Sequence, residues 1–124
     1  MNFENAVHLA QARAVGELFS SARLRVYDES GYVLLEATLP KDYTYSMERV
    51  EFAPPHEAVV TRKGQAASMA VFTADGRTKL GSDLAGDHTG ALVRFEDPRL
   101  FERMKVSFDD PFIIELSTLR KESQ

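Results

Sequence analysis

The residues of this chain that could do chemistry are few and scattered. Its three histidines, His8, His56 and His88, lie far apart, and none has a partner at metal-ligand spacing. There is no cysteine, which removes disulfides, zinc thiolate sites and thiol catalysis. The segment 81–90 gathers Ser82, Asp83, Asp87 and Thr89, oxygen donors of the kind a hard cation takes. It lacks EF-hand spacing, and its glycines and aspartates read as loop formers. Ser82, Asp87 and His88 supply the residue types of a hydrolytic triad without a Gly-x-Ser-x-Gly elbow. Asp109 and Asp110 precede Pro111 and read as a turn, not as an acid–base pair. Arg62-Lys63-Gly64 lacks the spacing of a phosphate loop. The expectation is a non-enzymatic protein with no catalytic residue, no cofactor and no metal.

The aromatic and basic residues point to surfaces. Tyr27, Tyr32, Tyr43 and Tyr45 fall on outward strand positions or in a connection. Tyrosines placed so offer apolar area and a hydroxyl to a protein or a sugar. Arg62, Lys63, Arg77 and Lys79 sit near hairpin ends, where they read as solvated charges that deter edge pairing or as a patch for an acidic partner. The candidate interface residues are Phe3, Val7, Tyr27, Tyr32, Tyr43 and Tyr45.

The bulk properties bound the rest. A chain of 124 residues fits one domain, 1–124, with a core large enough to need no staple. A net charge of −4 is poor for nucleic acid, which demands a positive field. No apolar run approaches the roughly 18 residues of a membrane span. The first residues, Met-Asn-Phe-Glu-Asn, lack the positive charge of a signal peptide, so a soluble protein made in a cytoplasm is expected.

Phe3, Val7, Ala10, Ala14 and Leu18 recur at gaps of four and three, which predicts a helix over 3–20 with Asn2 as its cap. That stripe is expected to cover the core of the same domain; the other reading is a docking element between subunits. Gly16 costs this helix about 1 kcal/mol relative to Ala. From Ala22 to Leu116 the period is two. Ala22, Leu24 and Val26 pair in pattern with Val33, Leu35, Ala37 and Leu39 across a turn at 28–31. Further strands are predicted at 48–53, 57–62, 66–73, 77–80, 91–95, 104–108 and 112–116. The 66–73 run is the central one, and Asp75-Gly76 is a strong hairpin turn. Asp97-Pro98 opens a predicted short helical turn to Arg103, and 117–124 is a polar tail. The fold class is therefore mainly β, an antiparallel sandwich or small barrel of about eight strands behind one N-terminal helix.

In order of features the chain resembles a group of small virion proteins of tailed bacteriophages and prophages. The resemblance rests on Ala22-Arg23-Leu24-Arg25-Val26-Tyr27-Asp28, on Leu34-Leu35-Glu36-Ala37-Thr38-Leu39, on 67–72, and on Asp75-Gly76. Gly81, Ala85-Gly86-Asp87, Val106-Ser107-Phe108 and Phe112-Ile113-Ile114 complete it. The chain departs in carrying Glu29 where that group has glycine. The resemblance implies a structural component of the virion, first a capsid decoration or cement protein, with a tail or head–tail connector component as the alternative. It implies other virion proteins, capsid or tail subunits in a multi-copy assembly, as partners. Nucleic acid and membrane are not expected partners. A carbohydrate-binding β-module is the alternative outside this class.

Overall fold

The computed structural model describes residues 4–84 and 97–117. Among them the protein is mainly β, with one N-terminal helix, α1 (Asn5–Phe19), and eleven short strands. None of the sheets closes into a barrel.

The largest sheet has four antiparallel strands in the order β2 (Val33–Thr38), β1 (Arg23–Tyr27), β7 (Ser68–Phe72), β8 (Lys79–Leu84). Leu24 and Val26 are buried, while Arg23, Arg25 and Tyr27 are half-exposed, as alternation at period two requires. β7 lies between β1 and β8, which makes it the predicted central strand. Its hairpin turns at Asp75-Gly76, where Gly76 has φ +75°. A bulge between Val26 and Tyr27 shifts the register of β1 against β2. Beyond it Val33 is exposed, and Leu34, Leu35, Ala37 and Leu39 are buried.

The second sheet orders β11 (Phe112–Glu115), β4 (Arg49–Phe52) and β3 (Thr44–Tyr45). The helix packs on β3 and β4. Two further pairs join β5 (Ala58–Val59) to β10 (Lys105–Val106) and β6 (Gly64–Gln65) to β9 (Arg99–Leu100). Between these pairs, Val60 donates its N–H to Met104 O and accepts the N–H of Arg103, each at 2.8 Å. The two pairs are therefore one interrupted antiparallel ribbon. Thr61 N–H to Leu34 O at 2.8 Å and His56 N–H to Thr38 O at 2.9 Å fasten the lead-in and β5–β6 chain to the outer edge of β2. One buried cluster, including Leu24, Leu35, Phe52, Met69, Leu100 and Leu116, lies among these elements.

Several expectations are corrected. The helix docks through Ala12 and Gly16, with Val15 and Phe19 half-buried, while Val7 and Leu18 are each 50% exposed. The predicted inward stripe faces out because apolar residues recur on two sides of this helix, and the ring of Tyr43 selects the side with the least bulk. A Cβ at Gly16 would run into that ring. Residue Glu4, without a side-chain capping bond, stands at the N-cap. Residues 81–84, expected in a loop, extend β8, because pairing with β7 overrides their weak strand propensity. The helical turn expected at 97–103 is absent. Asp97 Oδ1 instead accepts the Arg99 N–H at 3.0 Å, and the chain enters β9. In the predicted 104–108 strand Met104 and Val106 share a side by alternation, yet Met104 is exposed and Val106 buried. Phe3, the 91–95 strand, Asp87, His88 and Thr89 lie outside the described residues, as does the tail beyond Ser117.

Candidate functional site

The four tyrosines are distributed, not assembled. Tyr43 is a structural residue. Its hydroxyl donates to Glu17 Oε1 at 2.8 Å and lies 3.3 Å from Arg13 O. Its ring centroid is 5.4 Å from that of Phe52. Burial, and then the Glu17 carboxylate, push its pKa above the usual phenol value. Phe19, Phe52 and Phe112 continue the same aromatic seam, with centroids 6.1 Å and 6.5 Å apart across Phe112. Tyr45 follows at 6.0 Å from Tyr43 and is 44% exposed.

Tyr45 borders the outward face of α1. A shallow groove of about 410 Å³ runs between them, lined by Leu9, Ala10, Arg13, Ala14, Glu17 and Tyr45. Val7 and Leu18, also exposed, lie nearly half a turn around the helix from Leu9 and do not line this groove. Its two charged lining residues, Arg13 and Glu17, are of opposite sign. A second groove of about 350 Å³ next to β3 is lined in part by Asp42, Thr44 and Glu51.

A second exposed patch lies on the ribbon, and the sequence reading missed it. Val59, Phe101 and Met104 are 48%, 53% and 41% exposed. Phe101 and Met104 bracket a tight turn closed by Met104 N–H to Phe101 O at 3.0 Å, with Arg103 at φ +67°. The signal was present in the adjacent pairs Val59-Val60 and Leu100-Phe101. On an extended chain neighbours point to opposite faces, so one of each pair must look outward. Val60 and Leu100 took the core. The ribbon strands and their turns, 58–65 and 99–106, carry five basic residues against one acid, a net +4 in a chain whose total is −4. The remainder carries −8. Arg62 stacks on the exposed Tyr32 ring at 3.7 Å, which draws Tyr32 to this patch. Among the described residues no ion pair engages Lys63, Arg103 or Lys105.

Tyr27 lies elsewhere, on the outer face of the four-stranded sheet. There it lines an open depression of about 470 Å³ with Ser68, Ala70, Lys79, Ser82 and Asp83. Arg77 and Lys79 belong to this hairpin and do not join Arg62 and Lys63. On the same face Glu36 pairs with Arg25 at 2.8 Å and Arg23 at 3.8 Å, and Arg25 lies 4.4 Å over Phe72. Among the described residues no three His, Asp or Glu side chains converge to hold a metal ion. No described helix is long and apolar enough to cross a membrane.

The chain matches no family model, no curated protein and no solved structure, so the geometry above is the ground on which its function is argued.

Proposed function

We propose that this chain is a non-enzymatic structural protein of a phage particle, a capsid decoration or cement protein that holds neighbouring subunits together through its outer surface. One observation carries the reading: apolar side chains exposed on two separate faces, one on α1 and β3 and one on the ribbon. The resemblance in the order of sequence motifs to small virion proteins supports the class of particle.

The magnitudes favour action in many copies. Burying an aliphatic or aromatic side chain fully contributes about 1.5–3 kcal/mol. The seven half-exposed side chains of α1, β3 and the ribbon together offer on the order of 5–10 kcal/mol. Association costs about 4–15 kcal/mol in lost freedom. A single contact is therefore weak, and repetition on a symmetric shell makes it effective.

The test is addition of purified chain to particles assembled without it. Saturable binding and slower heat release of the contents are expected. A chain absent from purified particles of its source, and unable to bind them, overturns the reading. Copy number then places it: parity with the capsid subunits marks a decoration protein, and parity with one ring marks a connector component.

A further inference from the structure

We infer that the outward face of the ribbon binds a partner protein through a patch of carboxylates set around an apolar side chain. The inference deepens the reading above by giving the chemistry of one contact, and it rests on that reading for its setting.

The strand register sorts the ribbon's side chains. Lys105 is the cross-strand partner of Val59, as Val106 is of Ala58. Ala58 and Val106 are buried, so Val59 and Lys105 share the wet face. Leu100 is buried opposite Gly64, which turns its neighbours Arg99 and Phe101 outward. Carried one residue further, that register sets Lys63 across from Phe101. Apolar and basic side chains therefore interleave on a single face. Arg99 is engaged by Asp97, and Arg62 by the Tyr32 ring. Lys63, Arg103 and Lys105 are left with no ion pair among the described residues.

A second observation is independent of charge. Arg103 has φ +67°, in the left-handed region where a side chain is strained and glycine is not. It stands in the tight turn between the exposed Phe101 and Met104. Glycine would relieve that strain and lose only the guanidinium. An arginine at this position points to a role for its side chain outside the fold.

The charge distribution selects the kind of anion. The ribbon carries +4 and the rest of the sequence −8. A nucleic acid strand or an anionic bilayer extends past the ribbon and meets the negative remainder, whereas a local cluster of carboxylates does not. Val59 and Met104 offer a base no ring to stack on. They suit an apolar side chain with a charged rim, the anatomy of a protein interface.

Fluorescence anisotropy of a labelled glutamate–tyrosine copolymer, titrated with the full chain, tests this. Saturable binding is expected with a dissociation constant below about 1 mM. It weakens as ionic strength goes from about 0.1 M to about 1 M, which shortens the screening length from about 10 Å to about 3 Å. Lys63→Glu with Lys105→Glu, and separately Phe101→Ser, each weaken it by at least about tenfold, a difference of about 1.4 kcal/mol. Arg77→Glu with Lys79→Glu makes the same change of net charge on the other hairpin and leaves binding within about threefold of wild type. Arg103→Gly weakens binding without lowering the urea midpoint, a pairing that a merely structural arginine would not give. No binding at about 1 mM overturns the proposal. So does equal loss from the two double variants, or equal affinity for polyglutamate without tyrosine. Tighter binding to an oligothymidylate or to phosphatidylserine vesicles overturns it in favour of a polyanion or a membrane. Particle binding that survives Lys63→Glu with Lys105→Glu would keep the cement reading and remove the ribbon from it. Copolymer binding through the ribbon by a chain that never binds particles would do the reverse.

Discussion

The two exposed patches are alike in exposure and unlike in support. The helix patch rides on a rigid base: Gly16 seats against the Tyr43 ring, and Phe112 packs tilted on Phe19 and edge to face with Phe52. The ribbon patch stands on strands of two residues each, held by Val60, Leu100 and Val106 and by a few backbone bonds. A docking surface on this fold does not need a long strand or a full helix under it. It needs one buried residue beside each exposed one, and Val60 under Val59 or Leu100 beside Phe101 meets that need. The difference predicts where the molecule yields first.

The sharpest break comes from the aromatic seam. Phe52→Ala removes a fully buried ring that contacts both Tyr43 and Phe112, and should cost about 3–5 kcal/mol in urea unfolding. Leu100→Ala in the ribbon should cost less, about 2–3 kcal/mol, because a thinner element relaxes further around the gap. Equal losses would mean that the ribbon is as well packed as the helix base. Next is Gly16→Ala. On an open helix this change would stabilise by about 1 kcal/mol. Here the new methyl meets the Tyr43 ring, so a net loss of about 1–3 kcal/mol is expected, relieved when Tyr43→Leu is added. A stabilised Gly16→Ala variant would remove Tyr43 as the reason for the helix's orientation.

Smaller still is the effect of the outward residues. Phe101→Ser and Leu18→Ser should each leave the unfolding midpoint of the monomer within about 0.5 kcal/mol of wild type. A larger loss would show that these side chains support the fold and not a partner. The smallest effect is set by pH at the entrance to the ribbon. The Arg99 side chain, and then its N–H, hold the Asp97 carboxyl below the usual aspartate range. A carboxyl held down in the folded state stabilises above its unfolded pKa, and that stabilisation fades as pH falls through the folded value. The difference in urea midpoint between wild type and Asp97→Asn should therefore be constant at neutral pH and shrink below the ordinary aspartate range. A difference that grows on acidification would refute the pairing.

The sequence was most legible where one face of a strand is wet and the other dry. Leu24 and Val26 against Arg23 and Arg25 announce β1, and Asp75-Gly76 announces the β7–β8 hairpin, because both signals are local. The helix was legible as a helix but not in its orientation. Its inward side is chosen by Tyr43, which lies outside the helix window and whose ring meets Gly16 only in the folded chain. Residues 81–84 read as loop and 99–100 as helical turn, since their strand character comes from pairing with β7 and with β6 and not from their own residue types. The helix patch was half visible in Tyr45. The ribbon patch stayed hidden because Phe101 fell in the expected helical turn 97–103, and only the strand register shows Leu100 and Val106 buried and Phe101 and Met104 exposed.

The halves of the ribbon are separated along the chain by the whole β7–β8 hairpin. Closing them is a long-range event, slow to form and late in folding, because a large loop must be ordered before any contact rewards it. The tight turn that carries Phe101 and Met104 is tied to the other half through Val60, which bonds both Met104 and Arg103. Until that closure is made, Val60 and Leu100 have no core to enter, so which side of each strand is wet is decided only in the finished fold.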